Sequence, residues 1–373
     1  MKIREFRVEL WMNEFENHCK YNLAETCVQS LTIDELLKIT DKKEAALSEL
    51  LPLKMTYGAI EGSARLKNAI STLYDNQKPE NIMVAHGAIG ANALVYSALV
   101  GPKDEVITVL PTYQQHYSIP ESFGAKVKVL QLREEDNFLP NLDDLKSMVS
   151  AKTKLISVNN PNNPTGALIS EEILNEIADI ARTCDAYLLC DEVYRGTDQE
   201  GSGFTKSIAD IYEKGISTGS MSKSFSLAGL RVGWIAAPRE VLESISIHRD
   251  YNTISVSIID DYFAAIALEN KHKIIARSQK ITRENLKILD NWVTNEPLIS
   301  YVRPKSGTTA LLKYDLDLRS RDLCIRLLNE TGVMLTPGSV MDMEGYLRMG
   351  YANSAEILKT GLGKISEFLG SQG

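Results

Sequence analysis

The sequence is poor in the features that mark several classes of protein. Its five cysteines, Cys19, Cys27, Cys184, Cys190 and Cys324, are an odd number among 373 residues and show no C-x-x-C spacing. Neither a disulfide frame nor a thiolate zinc site follows from them, so they read as reduced thiols and no metal centre is expected. Basic charge is short as well. Lys and Arg number 41 against 49 Asp and Glu, a formal charge of −8, which argues against a nucleic acid backbone or an anionic membrane as the main partner. Long apolar runs are missing: 106–110 and 186–190 fall far short of the ~20 residues that cross a bilayer. Glu5 comes too early for the apolar run of an export signal. The expectation is a cytoplasmic protein acting on small molecules.

What is present is an ordinary globular composition, 44% hydrophobic and 24% charged, which excludes intrinsic disorder. At this length a single core stops growing, so a large domain and a smaller one are expected, with room for a cleft. From about residue 48 to 265, short β-branched runs alternate with helical periodicity, the pattern of a largely parallel sheet flanked by helices. Strands are predicted at 105–110, 126–132, 154–158, 186–190, 215–217 and 233–237. A helix is predicted over 170–184, with Ile173, Leu174, Ile177, Ile180 and Ala181 on one face and Glu171 and Glu172 in its first turn. Beyond it, 257–293 reads as one long helix. Short strands follow in 298–314, 332–337 and 346–351, and an amphipathic helix at 356–369 closes the chain. The predicted fold class is α/β, a three-layer sandwich with a mostly parallel sheet at 48–265, plus a smaller α+β domain formed by 266–373 with the segment 1–47. No internal repeat or low-complexity tract interrupts it.

Ligands of a parallel sheet gather at the carboxyl ends of its strands, and four unusual segments lie there. They are Asn159 to Gly166, Asp191-Glu192-Val193-Tyr194, Ser217 to Ser224, and His86-Gly87-Ala88-Ile89-Gly90. Asp191 follows an apolar strand, where an anion is costly unless it meets a cation or several donors. It serves either as a helix cap or structural ion pair, or as an anion facing a ligand cation. Lys223 sits in a Ser- and Gly-rich turn. Alone it would be a surface charge; in one cleft with a buried Asp it would be a desolvated amine of lowered pKa, able to form an imine. Ser220 and Arg231 nearby suit a phosphate. Gly87-Ala88-Ile89 opens an apolar helical run to about Val100 and offers a helix amino terminus for the same anion.

Asn-Pro-Thr-Gly, Asp-Glu-Val-Tyr and Ser-x-Ser-Lys followed by Gly-Leu-Arg-Val-Gly occur together in this order. On these motifs the chain resembles the class I/II aminotransferases, aspartate aminotransferase-like enzymes of fold type I that use pyridoxal 5'-phosphate. The resemblance is clearest over residues 48–352. It implies that Lys223 carries the cofactor and shuttles the substrate proton, and that Asp191 faces the pyridine nitrogen. Tyr194 and Asn163 would bond the cofactor's O3', and Tyr113 would stack on its ring. Gly87, Ala88, Ile89, Ser220 and Arg231 would form the phosphate cup, joined by Tyr57 from the neighbouring subunit of a homodimer. Arg348 would grip the substrate α-carboxylate, with Asn163 beside it, and Asn22 and Leu23 would line the substrate side. Two departures stand out. Ile89 lacks the hydroxyl that many relatives carry there, and 251–261, with Asp260 and Asp261, offers no arginine for a second carboxylate.

The function so implied is transfer of the amino group of an L-amino acid to a 2-oxo acid. The same core residues would also serve β-elimination by a cysteine-sulfur lyase, racemisation, decarboxylation or a cyclising synthase, depending on which bond to Cα lies perpendicular to the ring. A ligand-sensing regulator built on this fold would need a DNA-binding module, and the residues ahead of position 48 leave no room for one.

Overall fold

The computed structural model describes residues 2–371. A short helix near the start, α1 (Arg7–Phe15), precedes the main body. The central sheet has seven strands: β1 (Ile82–His86), β2 (Glu105–Leu110), β3 (Lys126–Gln131), β4 (Thr153–Asn159), β5 (Tyr187–Asp191), β6 (Gly215–Ser220) and β7 (Val232–Ala236). Their spatial order is β1-β7-β6-β5-β4-β2-β3. β2 through β6 pair in parallel, and β7 runs antiparallel to both of its neighbours. The chain turns from β2 outward to β3 and then back to β4, so a topological switch point lies between β2 and β4. Both faces of the sheet are covered, which is why its central strands read as unbroken apolar runs rather than as alternation.

Six of the seven strands fall where the sequence places them. β1 was not among the predicted strands. It runs from His86 into helix α2 (Gly87–Leu99) with no intervening turn, so the punctuation that marks a strand end is missing. That junction depends on Gly87 at φ +64°, where an added Cβ would meet the Arg231 guanidinium at 2.9 Å. The predicted helix at 170–184 is α3 (Glu171–Thr183). Ser170 caps it by accepting from the Ile173 N–H, and Leu174, Ile177, Ile180 and Ala181 are buried.

The long helix expected over 257–293 is two helices, α4 (Ile258–Glu269) and α5 (Lys271–Asn295). Asn270 leaves helical geometry at φ −113°, ψ 24°, and its N–H closes onto the Ala267 and Leu268 carbonyls, so a residue without glycine's or proline's signature ends the first helix. A four-stranded antiparallel sheet follows, in the order β10-β11-β9-β8, built from β8 (Ile299–Tyr301), β9 (Thr309–Tyr314), β10 (Thr336–Pro337) and β11 (Tyr346–Gly350). The closing helix is α6 (Ala355–Gly370). One apolar cluster joins the sheets, running from Ile107, Ile156 and Leu174 to Leu311, Leu347 and Leu358 and taking in Val8 and Trp11 of α1. Among the described residues no helix is long and apolar enough to cross a membrane.

Candidate active site

The carboxyl ends of β2, β4, β5 and β6 surround a cavity of about 350 Å³. Ala88, Ile89, Tyr113, Asn163, Asp191, Tyr194, Ser220, Lys223, Arg231 and Arg348, ten of the residues singled out in the sequence, line it together. Sheet register explains much of this convergence. Asn159 pairs with Asp191, and Asp191 with Thr218, so the ends of three buried strands stand level.

Asp191 is 5% exposed. Its Oδ2 accepts from Asn92 Nδ2 at 2.8 Å and its Oδ1 from the Val193 N–H at 3.2 Å. His116 Nε2 lies 3.4 Å from Oδ2 without the alignment of a hydrogen bond, while its Nδ1 is held by Tyr96 and Ser157. Asn92 in turn accepts from Thr218 Oγ1 at 2.7 Å. A buried carboxylate with two donors and no Lys or Arg partner is oriented but not neutralised, an arrangement suited to a ligand cation. The adjacent Glu192 is spent on structure, taking Ser207, Ser217 and the Ile208 N–H.

Lys223 Nζ donates to Thr26 Oγ1 at 2.6 Å and lies 3.5 Å from Cys27 Sγ. Burial works to lower its pKa, as the sequence suggests, but Tyr194, Cys27 and Glu25 outweigh burial and the net shift is upward. This corrects the expected direction; of the three neighbours, only the Glu25 carboxylate is charged near neutrality. Burial pushes the Tyr194 phenol up, and Lys223 and Arg348 oppose it. Burial likewise sends the Cys27 thiol up to about 11.

At one end of the cavity the first residues of α2, with Ser220 and Arg231, present amide, hydroxyl and guanidinium donors, the set a phosphate requires. Gly87 itself does not line the cavity; its bare Cα makes space for the Arg231 side chain. At another side is Arg348, 3% exposed on β11. Its Nη2 donates to Thr336 Oγ1 at 3.1 Å and to the Ala24 carbonyl at 3.2 Å, and its Nη1 reaches Asn163 Oδ1 at 3.5 Å. Its Nε is buried without a partner, and burial lowers its pKa. These donors, the carboxylate and the amine together fit pyridoxal 5'-phosphate and an amino acid.

Besides Gly87, three expected residues stand outside the cavity. Asn22 is a local cap, its Oδ1 accepting the Ala24 and Glu25 N–H groups at 3.0 and 3.1 Å, and Leu23 beside it is buried in the core. Tyr57 is 78% exposed and away from its own chain's cavity. Sequence reasoning also missed residues that do contribute. Asn92 lies one helical turn beyond Ala88, a spacing that could have placed it on the same face. In the wall built by α1 and the segment after it, Val8, Glu9, Met12 and Glu16 carried no signal, while the entry segment expected to act through Asn22 and Leu23 reaches the cavity instead through Ala24 and Glu25, with Thr26 and Cys27 following. That wall is anchored by Trp11, whose Nε1 donates to the Leu335 carbonyl at 2.9 Å, and by Arg7 on Asp342.

Comparison with known proteins agrees with this geometry. The family profile of aminotransferase class I and II matches residues 32–365. Capreomycidine synthase of Streptomyces vinaceus is 31% identical over 98% of this chain and 93% of its own. An aspartate aminotransferase of Pyrococcus horikoshii is 30% identical over 88% of this chain and 86% of its own. The crystal structure of a PLP-dependent aminotransferase from Streptococcus suis superposes with a TM-score of 0.97 at 42% identity, covering 100% of this chain and 99% of that one. The chain belongs to the aminotransferase class I and II family, has its fold type I architecture, and is a pyridoxal 5'-phosphate enzyme.

Proposed function

We propose that the enzyme is a transaminase, moving the amino group of an L-amino acid to a 2-oxo acid. The observation that carries this reading is that Lys223, Asp191 and Arg348 line one cavity. When bound, pyridoxal 5'-phosphate supplies a conjugated ring that takes up an electron pair from the substrate Cα. The rest falls to side chains. Asp191, fixed by Asn92 and the Val193 N–H, keeps a proton on the ring nitrogen. Tyr194 and Asn163 would bond O3', Tyr113 would cover the ring, and the α2 amino terminus with Ser220 and Arg231 would hold the phosphate. Arg348 takes the α-carboxylate in a two-point grip that a lysine could not copy. Lys223 Nζ would take the proton from Cα and deliver it to the cofactor's C4', acting as base and then as acid.

This reading extends to a cytoplasmic homodimer in which Tyr57, exposed in its own subunit, reaches the neighbouring phosphate site. It assigns cofactor binding to residues 48–265 and the smaller lobe to 266–373 with 1–47. The test is a single turnover with a panel of amino acids. Transamination converts the bound cofactor stoichiometrically to its amine form and yields an equal amount of oxo acid; sustained pyruvate release without that conversion overturns it. A second reading, a ring-closing synthase, is favoured by the match to capreomycidine synthase across 98% of this chain. Continued formation of a cyclic product with no oxo acid would select it.

A further inference from the structure

The ionisable groups of the cavity are unevenly divided. Lys223, Arg231 and Arg348 are its cations; Asp191, Glu9, Glu16 and Glu25 are its carboxylates. Under the proposed function, on which this inference rests, Asp191 meets the ring nitrogen, Arg231 the phosphate and Arg348 the α-carboxylate. Three carboxylates of the N-terminal wall then remain, Glu9 and Glu25 within the field of Arg348 and Glu25 also within that of Lys223. Glu9 accepts from the Tyr113 hydroxyl at 2.6 Å, Glu25 from the Thr26 and Cys27 N–H groups at 2.7 and 2.9 Å, and Glu16 only from Asn22, at 3.5 Å. Among the described residues none of the three forms an ion pair, and the arginine closest in sequence, Arg7, is taken by Asp342. Burial and then the charges of Glu25 and Glu9 push the Glu16 carboxyl up, so the three share one field.

An anionic wall alone would not define a site. Arg348 supplies the second observation: a guanidinium 3% exposed, lining the same cavity, with its Nε unpartnered. That group fixes where an α-carboxylate goes, and the wall of acids then borders the remainder of the bound molecule. We infer that the substrate is an amino acid whose side chain ends in a cation, an ammonium or a guanidinium, received by Glu9, Glu16 and Glu25. An acidic side chain would meet three like charges, and a neutral one would leave them unmatched.

The test is a spectral titration of the holoenzyme with L-arginine against its neutral isostere L-citrulline, and with L-lysine against L-norleucine. Each cation should bind at least about tenfold more tightly, which corresponds to ~1.4 kcal/mol. The Glu9→Gln and Glu16→Gln pair should bring the ratio close to one. Glu16 is exposed, so E16Q alone still reports if the pair folds poorly, and E16D should restore part of the preference. Equal binding of arginine and citrulline, tighter binding of glutamate, or a preference that survives both substitutions overturns the inference. Arginine-selective binding with no amine form of the cofactor upholds it and removes the transaminase reading instead, so the two failures separate.

Discussion

Replacing Arg348 separates function from stability. A charge-assisted hydrogen bond to a carboxylate contributes about 1.5–3 kcal/mol. Loss of a two-point grip therefore costs ~3–6 kcal/mol, of which a lysine recovers the single-point part. Arg348→Lys should lower kcat/KM for every amino acid by about 10–10² and Arg348→Met by about 10²–10⁴. Stability moves differently. Burial lowers the Arg348 pKa, so the fold opposes this charge, and exchange for an apolar side chain of similar length removes that opposition. Against it stand the lost bonds to Thr336 and the Ala24 carbonyl, about 1–3 kcal/mol for each group left unsatisfied. The net change for Arg348→Met should stay within ~2 kcal/mol. Stopped-flow half-reactions give the first quantity and urea melts the second. An Arg348→Lys enzyme within about threefold of the parent, or an Arg348→Met enzyme that loses activity only in proportion to unfolding, would show a structural arginine and refute the assignment.

Lys223→Ala should abolish the visible absorbance of the bound cofactor while circular dichroism stays unchanged; a retained band removes Lys223 as the attachment point. Asp191→Asn should keep that band yet slow turnover by about 10²-fold or more, since the ring nitrogen loses its counter-charge; activity within about tenfold of the parent contradicts the pairing. Burial raises the Cys27 thiol to about 11. Its alkylation, followed by mass spectrometry of the Cys27 peptide, should keep accelerating past pH 9; a plateau near pH 9 would show an unshifted thiol. The sign for stability follows: the fold favours the neutral thiol, so the contribution is whole below the unfolded thiol's pKa and drains away as pH rises toward 11. Trp11→Ala should cost about 3–5 kcal/mol and weaken amino acid binding by loosening α1; tight binding with lowered stability would show that the wall does not depend on that anchor.

The chemistry-bearing part of the cavity was legible because it sits at the ends of strands that are buried on both faces. Such strands are uniformly apolar, so the polar run that follows each one, as at Asn159 or Asp191, stands out. The N-terminal wall was not legible, because α1 reaches the cavity through tertiary contacts, Trp11 on the Leu335 carbonyl and Arg7 on Asp342, that involve residues more than 300 positions away. The Lys223 shift went astray for the same reason. Burial alone lowers an amine's pKa, and the groups that reverse the sign come from two other stretches of chain, Tyr194 on one side and Glu25 and Cys27 on the other. The residues 257–293 looked continuous because Asn270 ends α4 by its dihedral angles and by bonding the Ile266 carbonyl with its own side chain, a device a propensity scale does not register.

The two halves of the site are held by unequal means. Asp191 and Ser220 belong to β5 and β6, fixed by the parallel pairing of Asp191 with Thr218 and the antiparallel pairing of Ser220 with Gly233 within a sheet covered on both faces, so their spacing can change only if the core does. Glu9, Glu16 and Glu25 belong to a nine-residue helix and the segment that follows it, fastened by the Trp11 indole, by ion pairs of Arg7 with Asp342 and Glu14 with Arg321, and by pairing of Tyr21 and Asn22 with Val333 and Met334. Glu16 is exposed and held only loosely by Asn22, so its substitution perturbs few packed contacts, whereas one at Asp191 would strand a buried network running through Asn92 to Thr218. Bond-making residues are thus locked by the central sheet, and on the wall it is the exposed Glu16 that is free to vary at little cost in stability. On this reasoning the reaction is constrained by the sheet and the choice of amino acid by the wall. A chain so built can share the architecture of aminotransferases and of a synthase alike, with the position of charge on residues 9–25 deciding what enters.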